Sequence, residues 1–99
     1  MPRKRCPFVY ILASKKNGTL YIGVTSHPIK RIYEHKEGAV EGFTQDYGVK
    51  NLVYYEVHES MEEAIKREKR LKEWQRAWKI ALIEDFNPKW EDLYDEIIG

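Results

Sequence analysis

Phe8-Val9-Tyr10-Ile11-Leu12-Ala13-Ser14-Lys15-Lys16-Asn17-Gly18-Thr19-Leu20-Tyr21-Ile22-Gly23-Val24 decides the fold of this chain. Two largely apolar runs flank Asn17-Gly18, the strongest short-range signal for a tight hairpin turn. The first strand is expected at about Phe8–Ala13 and the second at about Thr19–Val24. With Asn17 and Gly18 as a two-residue loop, Lys16 faces Thr19, Ser14 faces Tyr21, Leu12 faces Gly23 and Tyr10 faces Thr25. Side chains alternate faces with period two, so positions 10, 12, 14, 21, 23 and 25 share one face. Tyr10 and Tyr21 therefore point the same way, either as ordinary cover for a sheet face or as a paired-tyrosine site. Gly23 is expected to leave a notch there, open to a ligand backbone.

Outward from the hairpin, Thr25-Ser26-His27-Pro28 supplies capping residues and a proline suited to a first helical position. The helix is expected to run to about Glu37, with Ile29, Ile32 and Tyr33 as its buried stripe, and to close at Gly38. Residues 38–48 read as a loop. The near-continuous apolar run Leu52–Val57 predicts a third strand in a central, covered position. Ser60-Met61-Glu62-Glu63 is a capping box that opens a second long helix, to about Lys72. A third helix is expected to hold Trp74, Trp78, Ala81 and Leu82 on one side and to stop before Asn87-Pro88. A short turn around Trp90–Tyr94 packs the tail. The order is β-β-α-β-α-α. A hairpin cannot cover its own apolar face, so an α+β fold follows: a three-stranded mixed or antiparallel sheet with helices packed on it.

The chain has 99 residues, read as one domain over 1–99 with a core of about 7–94. An apolar content of 42% and an aromatic content of 13% place it among globular rather than disordered chains. Cys6 is the one cysteine, which rules out an internal disulfide and favours a reducing compartment. It reads as a passive residue near a frayed terminus. Met1-Pro2-Arg3-Lys4-Arg5 resembles the basic start of a signal peptide, but the apolar run after it stops at Ser14-Lys15-Lys16. No stretch is long enough to cross a membrane, and a cytoplasmic protein is expected. The net charge of +1 hides a polarised chain. Residues 1–36 are strongly basic and residues 84–99 strongly acidic, which suits a basic surface that meets phosphates.

Some residues break their local pattern, and such positions are where function concentrates. Met61, Ala64, Ile65 and Leu71 form the apolar stripe of the second long helix, and Glu68 stands where an apolar residue belongs. Burying it unpaired would cost several kcal/mol. Pairing with Lys72 at i+4 and a metal-binding or catalytic role are both open. Arg31 and His35, four apart, share a helix face that is expected to point away from the Ile29–Ile32–Tyr33 stripe. They are either a solvated basic face or a phosphate-binding and proton-moving pair. Lys66, Arg67, Lys69, Arg70, Lys72, Arg76 and Lys79 surround Glu68 and are candidates for a nucleic-acid groove. The three tryptophans could stack on bases, but Trp74 and Trp78, at i, i+4 on an apolar side, read rather as core. His27 and His58 show no comparable partners and receive no role.

With these residues in hand, the chain resembles the GIY-YIG nuclease domain family, in its small stand-alone bacterial branch. The half-motifs stand as Phe8-Val9-Tyr10 and Tyr21-Ile22-Gly23, the first keeping only its tyrosine. The family's helical arginine and histidine match Arg31 and His35, its metal-binding glutamate matches Glu68, and its later asparagine matches Asn87. Phe43-Thr44-Gln45-Asp46-Tyr47-Gly48, leading into Leu52-Val53-Tyr54-Tyr55-Glu56, is also similar to that branch.

The resemblance implies an endonuclease that hydrolyses phosphodiester bonds in DNA, branched or single-stranded, in repair or recombination, with RNA as a further candidate. It implies one divalent ion, Mg2+ or Mn2+, held by Glu68. Tyr10 would act as general base, tuned by its neighbours to work at neutral pH. Arg31 would stabilise charge at phosphorus, Tyr21 and His35 would orient water or move protons, and Asn87 would fix the surrounding geometry. A monomer or weak dimer is expected. The chain has no room for an extra DNA-selecting domain, so a protein partner is a candidate source of specificity. Two other classes stay open: a non-cleaving nucleic-acid-binding module, and a protein-interaction domain that recruits a partner nuclease.

Overall fold

The computed structural model describes residues 5–39, 42 and 46–99. Arg3 and Lys4 of the basic start, and Phe43-Thr44-Gln45 of the loop motif, lie outside the described residues. β1 (Phe8–Ala13), β2 (Leu20–Thr25) and β3 (Asn51–Val57) form one antiparallel sheet in the order β2-β1-β3. Four helices accompany it among the described residues: α1 (Pro28–Lys36), α2 (Met61–Glu73), α3 (Arg76–Phe86) and α4 (Tyr94–Ile98). The α+β fold and its β-β-α-β-α-α order are as the sequence predicts. α4 is an addition where only a turn was expected.

β1, not β3, takes the centre of the sheet, and every residue of β1 is buried. β3 is an edge strand whose apolar run is covered because helices lie on both faces of the sheet. Periodicity reports that cover and is silent about which strands pair. β3 carries an irregularity: Ile11 pairs with Tyr54 but Leu12 with Leu52, leaving Val53 as the extra residue of a bulge.

The hairpin register differs from expectation by two residues. Ser14 N donates to Thr19 O at 3.0 Å and Thr19 N donates to Ser14 Oγ at 3.0 Å. The serine hydroxyl thus closes the ladder early and leaves a four-residue loop, Lys15–Gly18, with Gly18 N donating to Lys15 O at 2.9 Å. Asn17 adopts φ 59° in that loop, a left-handed conformation that asparagine tolerates. Tyr10 therefore pairs with Gly23, and Leu12 with Tyr21. A two-residue shift keeps parity, so the two tyrosines still share a face.

One face of the sheet, with Val9, Ile11, Ala13, Ile22 and Val53, packs on Ala64 and Leu71 of α2 and Ile83 of α3. The other, with Phe8, Tyr10, Leu12 and Leu52, packs on Ile32 of α1 and Ile97 of α4. Cys6 is buried in this second cluster, with its N–H bonded to Ser26 O at 2.9 Å, and is no frayed terminus.

The helices are rotated from their expected stripes. α1 buries Pro28, Ile32 and His35, while Tyr33 is 53% exposed. α2 begins as its capping box predicts, with Ser60 Oγ accepting from Glu63 N at 3.2 Å. It buries Ala64 and Leu71 and leaves Ile65 largely exposed. Trp78 and Ala81 face solvent rather than the core, and Trp74 is half-buried. The reason is a break at Trp74, which is extended at ψ 150°. α3 restarts after Gln75, so a period counted from Trp74 does not carry into it. α3 ends at Phe86, ahead of Asn87-Pro88, as predicted.

Candidate active site

Tyr10 is the residue around which the site assembles. Its ring is 1% exposed and its hydroxyl lies 3.0 Å from His35 Nε2. Tyr21, diagonal to Tyr10 across the hairpin, completes a cluster of three rings. The centroid separations are 6.3 Å for Tyr10–Tyr21, 5.7 Å for Tyr10–His35 and 5.4 Å for Tyr21–His35. Gly23 makes this possible. A Cβ there would overlap the Tyr10 ring, so the notch predicted for a ligand is filled by Tyr10 itself. The Arg31–His35 face is likewise corrected: His35 lies on the inward side with Ile32, because the buried stripe is centred on Pro28, Ile32 and His35.

The electrostatics follow from burial. His35 is pushed down to about 4, first by desolvation and then by the positive charge of Arg31, with Glu34 opposing. The imidazole is neutral at pH 7. The Tyr10 phenol is pushed well above its usual range, first by burial, then by Tyr21. Arg31 draws it down through a hydrogen bond and its charge, and the Glu68 carboxylate raises it. The expectation that neighbours tune Tyr10 towards neutral pH is thus reversed: enclosure outweighs the arginine.

Arg31 and Glu68 both act on the same phenol although α1 and α2 lie on opposite faces of the sheet. The two layers meet at the edge strand β2. Glu68 is half-buried and its Oε2 sits 2.8 Å from Lys72 Nζ. The pairing of Glu68 with Lys72 at i+4 is thus present, and the Glu68 charge also reaches Tyr10. Arg31 is half-buried, with Nη1 3.6 Å from Glu34 Oε1. A cavity of about 300 Å3 opens beside the cluster, lined by Leu20, Tyr21, Ile22, Lys72 and Lys79. A second, of about 180 Å3, is lined by Thr25, His27, Lys30, Arg31 and Glu34. His27 and Lys30 received no site role from the sequence, because nothing in their spacing ties them to Arg31 across the β2–α1 turn.

Asn87 stands apart. It is 5% exposed, and its Nδ2 donates to Val53 O at 3.1 Å and Glu91 O at 2.8 Å. Its Oδ1 accepts from Glu91 N at 3.1 Å. These bonds all go to backbone groups, including the carbonyl of the bulge residue, and none reaches the ring cluster.

The basic groove is also narrower than the sequence suggests. Arg67 Nε and Nη2 donate to Glu56 at 2.8–3.1 Å, with the guanidinium 5.2 Å from the Trp74 ring centroid. His58 is not without a partner: its Nε2 lies 2.8 Å from Glu56 Oε1. Burial pushes the Glu56 carboxyl up, but hydrogen bonds from Arg67, Tyr54 and His58 together hold it below the usual range.

Among the described residues, no three His, Cys, Asp or Glu side chains are grouped to hold a metal ion. Glu68 is a lone carboxylate that already draws a cation, the Lys72 ammonium, to one oxygen. Such a donor fits an ion of the magnesium type, which keeps several waters and takes phosphate oxygens for other ligands.

A sequence profile of the GIY-YIG catalytic domain matches residues 6–81. The chain belongs to the GIY-YIG family. The match spans Tyr10, Tyr21, Arg31, His35 and Glu68 and ends before Asn87. GIY-YIG relatives include a UPF0213 protein of Clostridium perfringens, 38% identical over 91% of this chain and 96% of its own length. A UPF0213 protein of Staphylococcus aureus is 35% identical over 79% of this chain and 94% of its own. The solution NMR structure of a UPF0213 protein from Bacillus halodurans has 31% sequence identity and a TM-score of 0.55, covering 87% of this chain and 90% of that one. The GIY-YIG domain points to a nuclease superfamily, typically metal-dependent and acting on nucleic acid. Among the described residues, no helix of this GIY-YIG protein is long and apolar enough to cross a membrane.

Proposed function

We propose that the chain is a metal-dependent endonuclease that hydrolyses phosphodiester bonds in DNA, branched or single-stranded, in repair or recombination. In this reading residues 1–99 are one nuclease domain and the protein is a cytoplasmic monomer or weak dimer. The observation that carries it is the Tyr10 hydroxyl 3.0 Å from His35 Nε2, at a phenol on which Arg31 and Glu68 both act.

The high phenol pKa and the neutral imidazole argue for a relay. Tyr10 oxygen accepts the proton of the attacking water while its own proton passes to His35 Nε2. No free phenolate is needed: after cleavage the imidazolium hands its proton back to Tyr10 as Tyr10 releases the other to solvent, and the leaving oxygen takes a proton from solvent. Arg31 pairs with the phosphate. That contact neutralises the charge that disfavours imidazolium, so substrate binding itself makes His35 a better acceptor. Tyr21 orients the water on the open side of the ring cluster. Glu68 would hold Mg2+ or Mn2+, which supplies charge stabilisation at the phosphate and the leaving oxygen. Asn87 is a positioning residue that ties β3 to the Trp90 turn.

The test is a panel of duplex, single-stranded, flap and junction DNAs with Mg2+, Mn2+ or chelator. Glu68→Ala and Tyr10→Phe are each expected to lose about 100-fold or more in cleavage with circular dichroism unchanged. Cleavage that survives both substitutions would overturn the reading. Binding in chelator with no cutting in either metal would favour the non-cleaving module, which the Lys72–Glu68 pair also allows. The acidic tail gives less support to a protein-recruiting role, since Asp92 pairs with Lys36 and Glu96 accepts from Tyr55.

A further inference from the structure

We infer that the cavity at the edge of β2 seats a backbone phosphate of the bound strand, neighbouring the one that is cut, with Lys79 and Lys72 as its cationic side chains. The inference rests on the nuclease reading above and extends it to the path of the substrate.

Leu20 and Ile22 belong to one face of β2 and Tyr21 to the other, so the cavity of about 300 Å3 wraps the strand edge. It therefore begins where the ring cluster ends, and Tyr21 is shared by both. Lys79 lines it and is half-buried, yet among the described residues it pairs with no carboxylate. Among the described residues its Nζ donates to the Lys72 carbonyl at a long 3.4 Å. The Lys79 ammonium thus stands at the cavity wall with its charge available to an incoming anion. Lys72 stands on the same wall, paired with Glu68.

The lysine is placed by a clamp. Arg76 Nη2 donates to Asn17 O at 2.8 Å and Gly18 O at 2.6 Å, fastening the first turn of α3 to the hairpin tip. Lys79 follows Arg76 by one turn and is thereby fixed over β2. The same tip carries Lys15 and Lys16, both exposed. Cations thus continue along one edge from the hairpin tip to Glu68, as a phosphodiester backbone requires, while Leu20 and Ile22 offer apolar contact to a sugar.

The experiment uses the full chain, a fluorescently labelled single-stranded oligonucleotide and chelator, and reads affinity across a salt titration. Lys79→Gln is expected to weaken binding severalfold and to lower the salt slope by about 0.7, the loss of one phosphate contact. Lys79→Arg, which keeps the charge, is expected to restore both, and Lys89→Gln to change neither. With Mg2+, Lys79→Gln should raise KM and leave kcat unchanged. If wild type binds and cuts but Lys79→Gln keeps the full slope, or Lys79→Arg fails like Lys79→Gln, the phosphate seat is overturned and the nuclease reading stands. If wild type neither binds nor cuts, both fall together.

Discussion

His35 couples the fold to pH. Its folded pKa, about 4, lies below the unfolded value of 6.5, so the unfolded chain binds the proton more readily in between. Stability is therefore complete above about pH 6.5 and falls as pH drops towards 4, by roughly 2–3 kcal/mol from this one residue. Denaturant unfolding at a series of pH values should show that decline, and His35→Gln should flatten it. Glu56 acts lower: its depressed pKa makes its contribution present above the usual carboxylate value and lost as pH falls through the folded one. Gly23 is the other sensitive position. Gly23→Ala should push the Tyr10 ring off His35, cost about 1–3 kcal/mol by overpacking, and impair cleavage through the displaced Tyr10. A melting temperature and a turnover rate on the same sample check it. Glu68 was legible in the sequence because a carboxylate interrupts an apolar stripe. The inward side of His35 was not, since moving the α1 stripe to Pro28 and His35 exchanges it with Tyr33, and both registers contain Ile32.

At the scale of elements, local chemistry was the readable part. The capping box opens α2 where expected, and Ser60→Ala should lower stability by about 1 kcal/mol in a denaturant titration. The stop before Asn87-Pro88 follows from proline sterics and is observed. What depended on a tertiary partner was not readable. The hairpin register shifted because the Ser14 hydroxyl captured Thr19 N. The Trp74–Trp78 stripe dissolved because α2 ends at Trp74 and α3 begins a new helix. Glu56 looked like an ordinary strand residue and proved to be an anchor for Arg67 of α2. Arg67→Ala, which leaves that half-buried carboxylate with only Tyr54 and His58, should cost about 1–3 kcal/mol and raise the Glu56 pKa, both measurable by pH-dependent unfolding.

For the whole molecule, the pairing of two helical layers on one small sheet decides what meets what. The carboxylate of one layer and the guanidinium of the other act on one phenol because β2 lies at the rim. Lys72 guards that carboxylate, and Lys72→Met should tighten Mn2+ binding in the absence of nucleic acid, read by calorimetry. The two rims of the sheet differ. Along β3, Leu52 N donates to Asp92 Oδ1 and Leu52 O accepts from Leu93 N, while Asn87 takes Val53 O. The chain's own tail has blocked that side against further pairing. Among the described residues nothing pairs with the outer side of β2. An extended peptide docking there as a fourth strand would gain main-chain hydrogen bonds and at the same stroke wall off Tyr21 from any polynucleotide. On the proposed nuclease reading, the unpaired ladder of β2 would then serve as a handle for silencing the protein.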